Sequence, residues 1–90
     1  MKFTVLWAKE AEKRLTLMWL NATNRKEITE AANAIEKLLR IDPQNVGESR
    51  PDGTRIVFVP PLRVLFHVNE QDRIVSVLTI WQFQRRSASS

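Results

Sequence analysis

Residues 55–83, RIVFVPPLRVLFHVNEQDRIVSVLTIWQF, constrain the fold more than any other stretch of the chain. They hold three apolar runs separated by two turn signals, Pro60-Pro61 and the polar segment Glu70 to Arg73. The runs are rich in Val, Ile, Leu and Phe, so the pattern predicts strands over 55–59, 62–69 and 74–83. Polar residues interrupt the apolar pattern at intervals, and a meander of this kind needs cover for its apolar face. The first half of the chain has to supply it.

Lys2 to Trp7 alternates, with Phe3, Val5 and Trp7 on one side, and reads as another strand. The period then changes. Ala8, Ala11, Leu15, Met18, Trp19 and Ala22 recur at helical spacing, with Lys9, Glu10, Glu12, Lys13 and Arg14 on the other face. Glu10 and Arg14 stand at i,i+4 on that wet side. Asn24, three residues before Glu27, resembles a capping box and predicts the start of a second helix. Ile28, Ala31, Ala32, Ile35, Leu38 and Leu39 form its apolar stripe, and Asp42-Pro43 ends it, because the residue before proline is pushed out of the helical region. The break between the stripes is short, so the two helices form an antiparallel hairpin. Gln44 to Thr54 has no regular pattern, and Pro51-Asp52-Gly53 marks a turn that leads into the meander.

The predicted order is β-α-α-β-β-β, an α+β domain in which a mainly antiparallel sheet carries the helical hairpin on one face. At 90 residues the chain holds one core, expected over residues 1–84, with a flexible polar tail over 85–90. No cysteine is present, which excludes a disulfide framework and a thiolate metal site; no metal or other cofactor is expected. The opening MKFTVLWAKE is charged too early for a signal peptide, and no apolar run is as long as a membrane span. A cytoplasmic protein without membrane contact is therefore expected. Fourteen Lys and Arg against ten Asp and Glu leave a net charge of +4, which favours a polyanion or an acidic protein as partner.

Closing Glu70 to Arg73 as a four-residue loop pairs Asn69 with Ile74 and predicts face-sharing pairs of Val68 with Val75, Phe66 with Val77 and Val64 with Thr79. That face belongs under the helices. The opposite face then carries Arg63, Leu65 and His67 beside Ser76, Leu78, Ile80 and Gln82, a mixed surface suited to binding. A slip of one residue would invert the assignment for one strand.

The element order, the helical hairpin and the run RIVFVPPLRVLFHVNEQDRIVSVLTIW resemble the toxin half of RelE/ParE-type toxin–antitoxin systems, over nearly the whole chain from Phe3 to Arg85. The family pattern is an R-V-x-F/Y-x-V segment, an acidic turn and a V-x-V-L-x-V segment leading to a C-terminal catalytic or basic element. The resemblance implies a cognate antitoxin as partner and a role of the kind known as plasmid stabilisation. It also implies one of two targets: messenger RNA at the ribosome, cut by RelE-like endoribonucleases without a metal, or DNA gyrase, poisoned by ParE-like members. Fold alone does not choose between them.

RNA cleavage of the RelE kind needs an activated 2′-hydroxyl, positive charge on the phosphorane and a proton for the leaving 5′-oxygen. By resemblance Arg63 matches the family's strand arginine and Arg85 its C-terminal arginine; the alternatives are a solvent-facing strand residue and a solvated tail charge. Arg50 and Arg55 either extend the RNA-binding patch or pair with Glu48 or Asp52. Glu48 stands where some RelE-like nucleases place an acid/base carboxylate, or is a solvated loop residue. His67, the only histidine, is an acid/base candidate near neutral pH or makes a structural hydrogen bond. The chain departs from the family in having no tyrosine, and Trp81-Gln82-Phe83 stands where others carry Tyr or His. Trp7 and Trp19 are expected in the core. Trp81 and Phe83 either stack on a base or close the core against a partner.

Overall fold

Apolar periodicity accounts for each element of the fold. In the computed structural model, which describes residues 2–83, the chain forms β1 (Thr4–Trp7), α1 (Lys9–Asn21), α2 (Arg25–Ile41), β2 (Glu48–Ser49), β3 (Arg55–Val59), β4 (Leu62–Asn69) and β5 (Ile74–Gln82). The strands make one sheet in the order β1-β5-β4-β3-β2, antiparallel throughout except that β1 runs parallel to β5. The result is an α+β fold with the helical hairpin on one face of the sheet.

The second helix of the hairpin is fixed at both ends by local chemistry. Asn24 caps α2 by accepting a hydrogen bond from the Glu27 N–H at 3.1 Å, which satisfies one of the unpaired donors of the first turn. At the other end Asp42 closes the helix and Pro43 begins a single 3-10 turn, Pro43–Asn45. Ile28, Ala31, Ile35 and Leu39 of α2, with Ala11 of α1, are buried against Val57, Leu62, Val64, Phe66, Val75, Val77 and Ile80 of the sheet. Removing these side chains from water is the main favourable term holding the layers together. Trp7 is half-buried and donates its indole N–H to Glu36 at 3.2 Å. Trp19, expected in the core, instead lies at the surface: it donates to the Thr29 hydroxyl at 3.1 Å, and the Arg25 guanidinium sits 4.6 Å from its ring centre.

The β4–β5 register follows the predicted pairing through Asn69 with Ile74, Val68 with Val75 and Phe66 with Val77, and then departs from it. Leu78 is an extra residue in β5, a bulge, so Leu65 pairs with Thr79, Val64 with Ile80, Arg63 with Trp81 and Leu62 with Gln82. The expectation that Thr79 faces the helices and Ile80 faces away is thereby reversed. Ile80 is fully buried under the helices, while Thr79 and Trp81 join the outer face. Burial explains the slip, since the bulge places isoleucine in the core and threonine outside it.

β2 is a second departure, a two-residue strand where no regular structure is expected. It pairs Glu48 with Ile56 and Ser49 with Arg55. Gly47 makes this pairing possible: its φ is +71°, and a β-carbon there would run into the Ile56 carbonyl. No helix among the described residues is long and apolar enough to cross a membrane.

Candidate functional site

Strand alternation sends Ile56 and Phe58 of β3, Arg63, Leu65 and His67 of β4, and Ser76, Thr79 and Trp81 of β5 to the face away from the helices. Glu48 joins them through its pairing with Ile56. Two overlapping concavities, of about 600 and 560 Å³, open on this face and share Arg50, Ile56 and Arg63 in their walls. The first extends over Leu65, Trp81 and Phe83, the second over Glu48 and Phe58.

Arg63 stands at the centre. It is exposed, its side chain makes no ion pair or hydrogen bond among the described residues, and its guanidinium lies 5.9 Å from the centre of the Phe58 ring. Phe58 in turn meets Phe83 edge to face, with centroids 5.5 Å apart. Phe83 is held at the sheet margin by its backbone N–H, which donates to the Pro61 carbonyl at 2.6 Å. Trp81 lies directly across from Arg63 on β5. The site is thus a cationic centre with aromatic walls.

The loop from β2 to β3 supplies the other charges. Arg50 donates its N–H to the Thr54 carbonyl at 2.8 Å and accepts from the Gly53 N–H at 3.1 Å, which closes the turn signalled by Pro51-Asp52-Gly53. Asp52 accepts from the Thr54 hydroxyl at 2.6 Å and the Thr54 N–H at 3.1 Å. These hydrogen bonds, the hydroxyl first, hold its carboxyl below the ordinary value of 3.8, with a contribution from the Arg50 charge. A carboxylate so occupied is a poor proton acceptor. Glu48 has no such hydrogen-bond partner among the described residues.

The structure therefore brings Arg63, Glu48 and Arg50 to one concavity and separates the remaining candidates from it. Arg55 pairs with Phe66 and projects to the helix side, where its guanidinium donates to the carbonyls of Val46 at 2.9 Å and Gly47 at 3.0 Å. It clamps the loop that carries Glu48 and adds no charge to the outer surface. His67 shares a face with Arg63 but lies four residues along β4, roughly 13 Å away, and lines neither concavity. Arg85 lies outside the described residues. Among those residues no group of three or more His, Cys, Asp or Glu stands together in a way that could hold a metal ion. Ile56 and Phe58 were not singled out in the sequence, although alternation against the buried Val57 puts both on the outer face.

No protein-family model and no curated protein sequence matches the chain. Solved structures do. The chain is similar to the RelBE2 toxin–antitoxin complex of Mycobacterium tuberculosis, with a TM-score of 0.75 and 18% identity over 91% of this chain and 92% of that one. It is also similar to the chromosomal ParDE system of P. aeruginosa, with a TM-score of 0.68 and 16% identity over 91% and 97% of the two chains. For the isolated RelE toxin of E. coli the TM-score is 0.60 and the identity 14%, over 97% and 90%. At these identities the likeness is one of fold, and RelE and ParE neighbours share it alike.

Proposed function

Starting from the RelE/ParE-like toxin fold that the described chain adopts, we propose that this protein is the toxin of a toxin–antitoxin pair and that it inhibits translation by cutting messenger RNA at the ribosome. The functional unit is one toxin domain over residues 1–84, and its partner is a cognate antitoxin, as in the complexes of the mycobacterial and P. aeruginosa neighbours. The observation that carries the RNA reading is the outer-face concavity, where Arg63 and Arg50 stand among Phe58, Trp81 and Phe83 with Glu48 at the rim. Cations for phosphates, with aromatic rings between them, are the equipment of a single-strand binder.

In this reading the ribose 2′-oxygen attacks the adjacent phosphorus, and its proton passes to the Glu48 carboxylate. Arg63, with Arg50 beside it, stabilises the extra negative charge on the phosphorane. The bond to the 5′-oxygen then breaks, leaving a 2′,3′-cyclic phosphate on one fragment and a 5′-hydroxyl on the other. Neither an imidazole nor a phenol lines the concavity, so the leaving oxygen takes its proton from water or from the ribosome. Cleavage is correspondingly slow, because a positioned general acid contributes on the order of 10²- to 10⁴-fold. Arg63→Ala should lower the cleavage rate by about 10²-fold, measured as loss of intact message in a ribosome-programmed assay. An undiminished rate in a folded Arg63→Ala protein would remove Arg63 from this role.

A second reading is favoured by the absence of an imidazole or phenol among the described residues that line the concavity: a ParE-like inhibitor that binds DNA gyrase without chemistry of its own. It predicts an SOS response on induction, with message left intact.

A further inference from the structure

Glu48 is held from both sides. On its C-terminal side the turn from Arg50 to Thr54 is tied to the start of β3 by backbone alone, the Arg50 N–H donating to the Thr54 carbonyl at 2.8 Å and the Gly53 N–H to the Arg50 carbonyl at 3.1 Å. On its N-terminal side the holding group is a side chain. The Arg55 Nε donates to the Val46 carbonyl at 2.9 Å and its Nη2 to the Gly47 carbonyl at 3.0 Å. Successive carbonyls of an extended chain point in opposite directions, so one guanidinium reaches both only where the chain turns. Gly47, with its φ of +71°, supplies that turn. The planar fork of N–H groups is specific to arginine, and a lysine ammonium has the charge without the fork. Between the two anchors lies only the two-residue β2, Glu48 and Ser49, and so short a pairing is marginal by itself.

We infer that Arg55 is a positioning residue for the proposed cleavage: from the helix side of the sheet it holds Val46 and Gly47 so that the Glu48 carboxylate stands at the rim of the Arg63 concavity. The inference rests on the reading of Glu48 as the base that takes the 2′-proton. Among the described residues Arg55 forms no ion pair, and it projects away from the concavity, so it acts on the reaction only through the backbone it holds. Arg50 and Arg63 do not depend on it. Arg50 is fixed by the Thr54 turn, and Arg63 by the pairing of β4 with β3 and β5. Loss of the clamp therefore displaces the base and leaves the phosphate-stabilising charges in place. A displacement of about 1 Å costs on the order of 10²-fold in rate, and the loss has a ceiling, because it cannot exceed the cost of removing the Glu48 carboxylate itself.

The test is single-turnover cleavage of ribosome-bound message by the full chain, with amide hydrogen exchange over residues 46–50 measured on the same proteins. Arg55→Met keeps an apolar stem and removes the fork; it should slow cleavage by about 10²-fold and speed exchange over 46–50, with exchange in β4 and β5 unchanged. Arg55→Lys keeps the charge without the fork and should be slowed by less. Gly47→Ala lifts the same segment without touching Arg55 and should be as slow as Arg55→Met. Adding Arg55→Met to Glu48→Gln should slow cleavage no further than Glu48→Gln alone, since both changes remove the same group from the reaction. Losses that multiply in the double variant overturn the inference. Parent-like cleavage by Arg55→Met and Arg55→Lys overturns it too, and if Arg63→Ala is slow in the same assay the RNA reading stands and the clamp is structural alone. A parent chain that leaves the message intact overturns the RNA reading and this inference together.

Discussion

Gly47 and Gly53 have left-handed backbones, with φ of +71° and +88°, yet they differ in what a side chain would meet. A β-carbon at Gly53 points into open space, whereas one at Gly47 meets the backbone of β3 at Ile56 and Val57. Gly53→Ala should therefore cost about 1–2 kcal/mol from backbone conformation alone. Gly47→Ala should cost more, because β2 must also lift off β3, and denaturant midpoints of the two variants will show the order. Asp52 allows a test by pH. Its carboxyl is held below 3.8 by the Thr54 hydrogen bonds, so its ionised form adds stability above that ordinary value, and the contribution is lost as pH falls through the lowered one. The stability difference between the parent and Asp52→Asn should be constant near neutrality and shrink only in acid below about 3.8. A difference that shrinks between pH 5 and 7 would point to another group.

At the scale of elements, the boundaries of β3, β4 and α2 were legible because turn and cap residues mark them: Asn24, Asp42-Pro43, Pro60-Pro61 and Glu70 to Arg73. Asn24→Ala should lower stability by about 1 kcal/mol, read as a fall in thermal midpoint with the fold unchanged. The faces of β5 were less legible. Val75, Val77 and Ile80 break strict alternation by one residue, and only the bulge at Leu78 reconciles them with a single buried face. That spacing was the available signal. Deleting Leu78 should leave each β4–β5 pair on its present face and preserve cooperative unfolding, whereas Phe66→Ala, which empties a fully buried site, should cost about 3–5 kcal/mol. Arg55 could not be assigned a face from sequence, since both alternating sets of RIVFV are apolar; its clamp on the Val46 and Gly47 carbonyls appears only when β2 folds back. Short β2 itself left no periodic trace, being two residues long.

For the whole molecule, the sheet presents two unlike faces: one buried under the hairpin, the other an open surface with Arg63 at its centre and aromatic rings around it. The fold places RelE and ParE toxins among its structural neighbours, and in the function proposed above it is the outer face that acts on the target. Co-expression with a cognate antitoxin should restore growth that induction of this chain alone arrests. The most direct test of the account is a map of new messenger RNA ends within minutes of inducing the parent chain or Arg63→Ala. The account predicts 5′-hydroxyl ends inside translated reading frames with the parent and their loss, by about 10²-fold, with the variant. Growth arrest with messages intact, equally strong for both proteins, would contradict it.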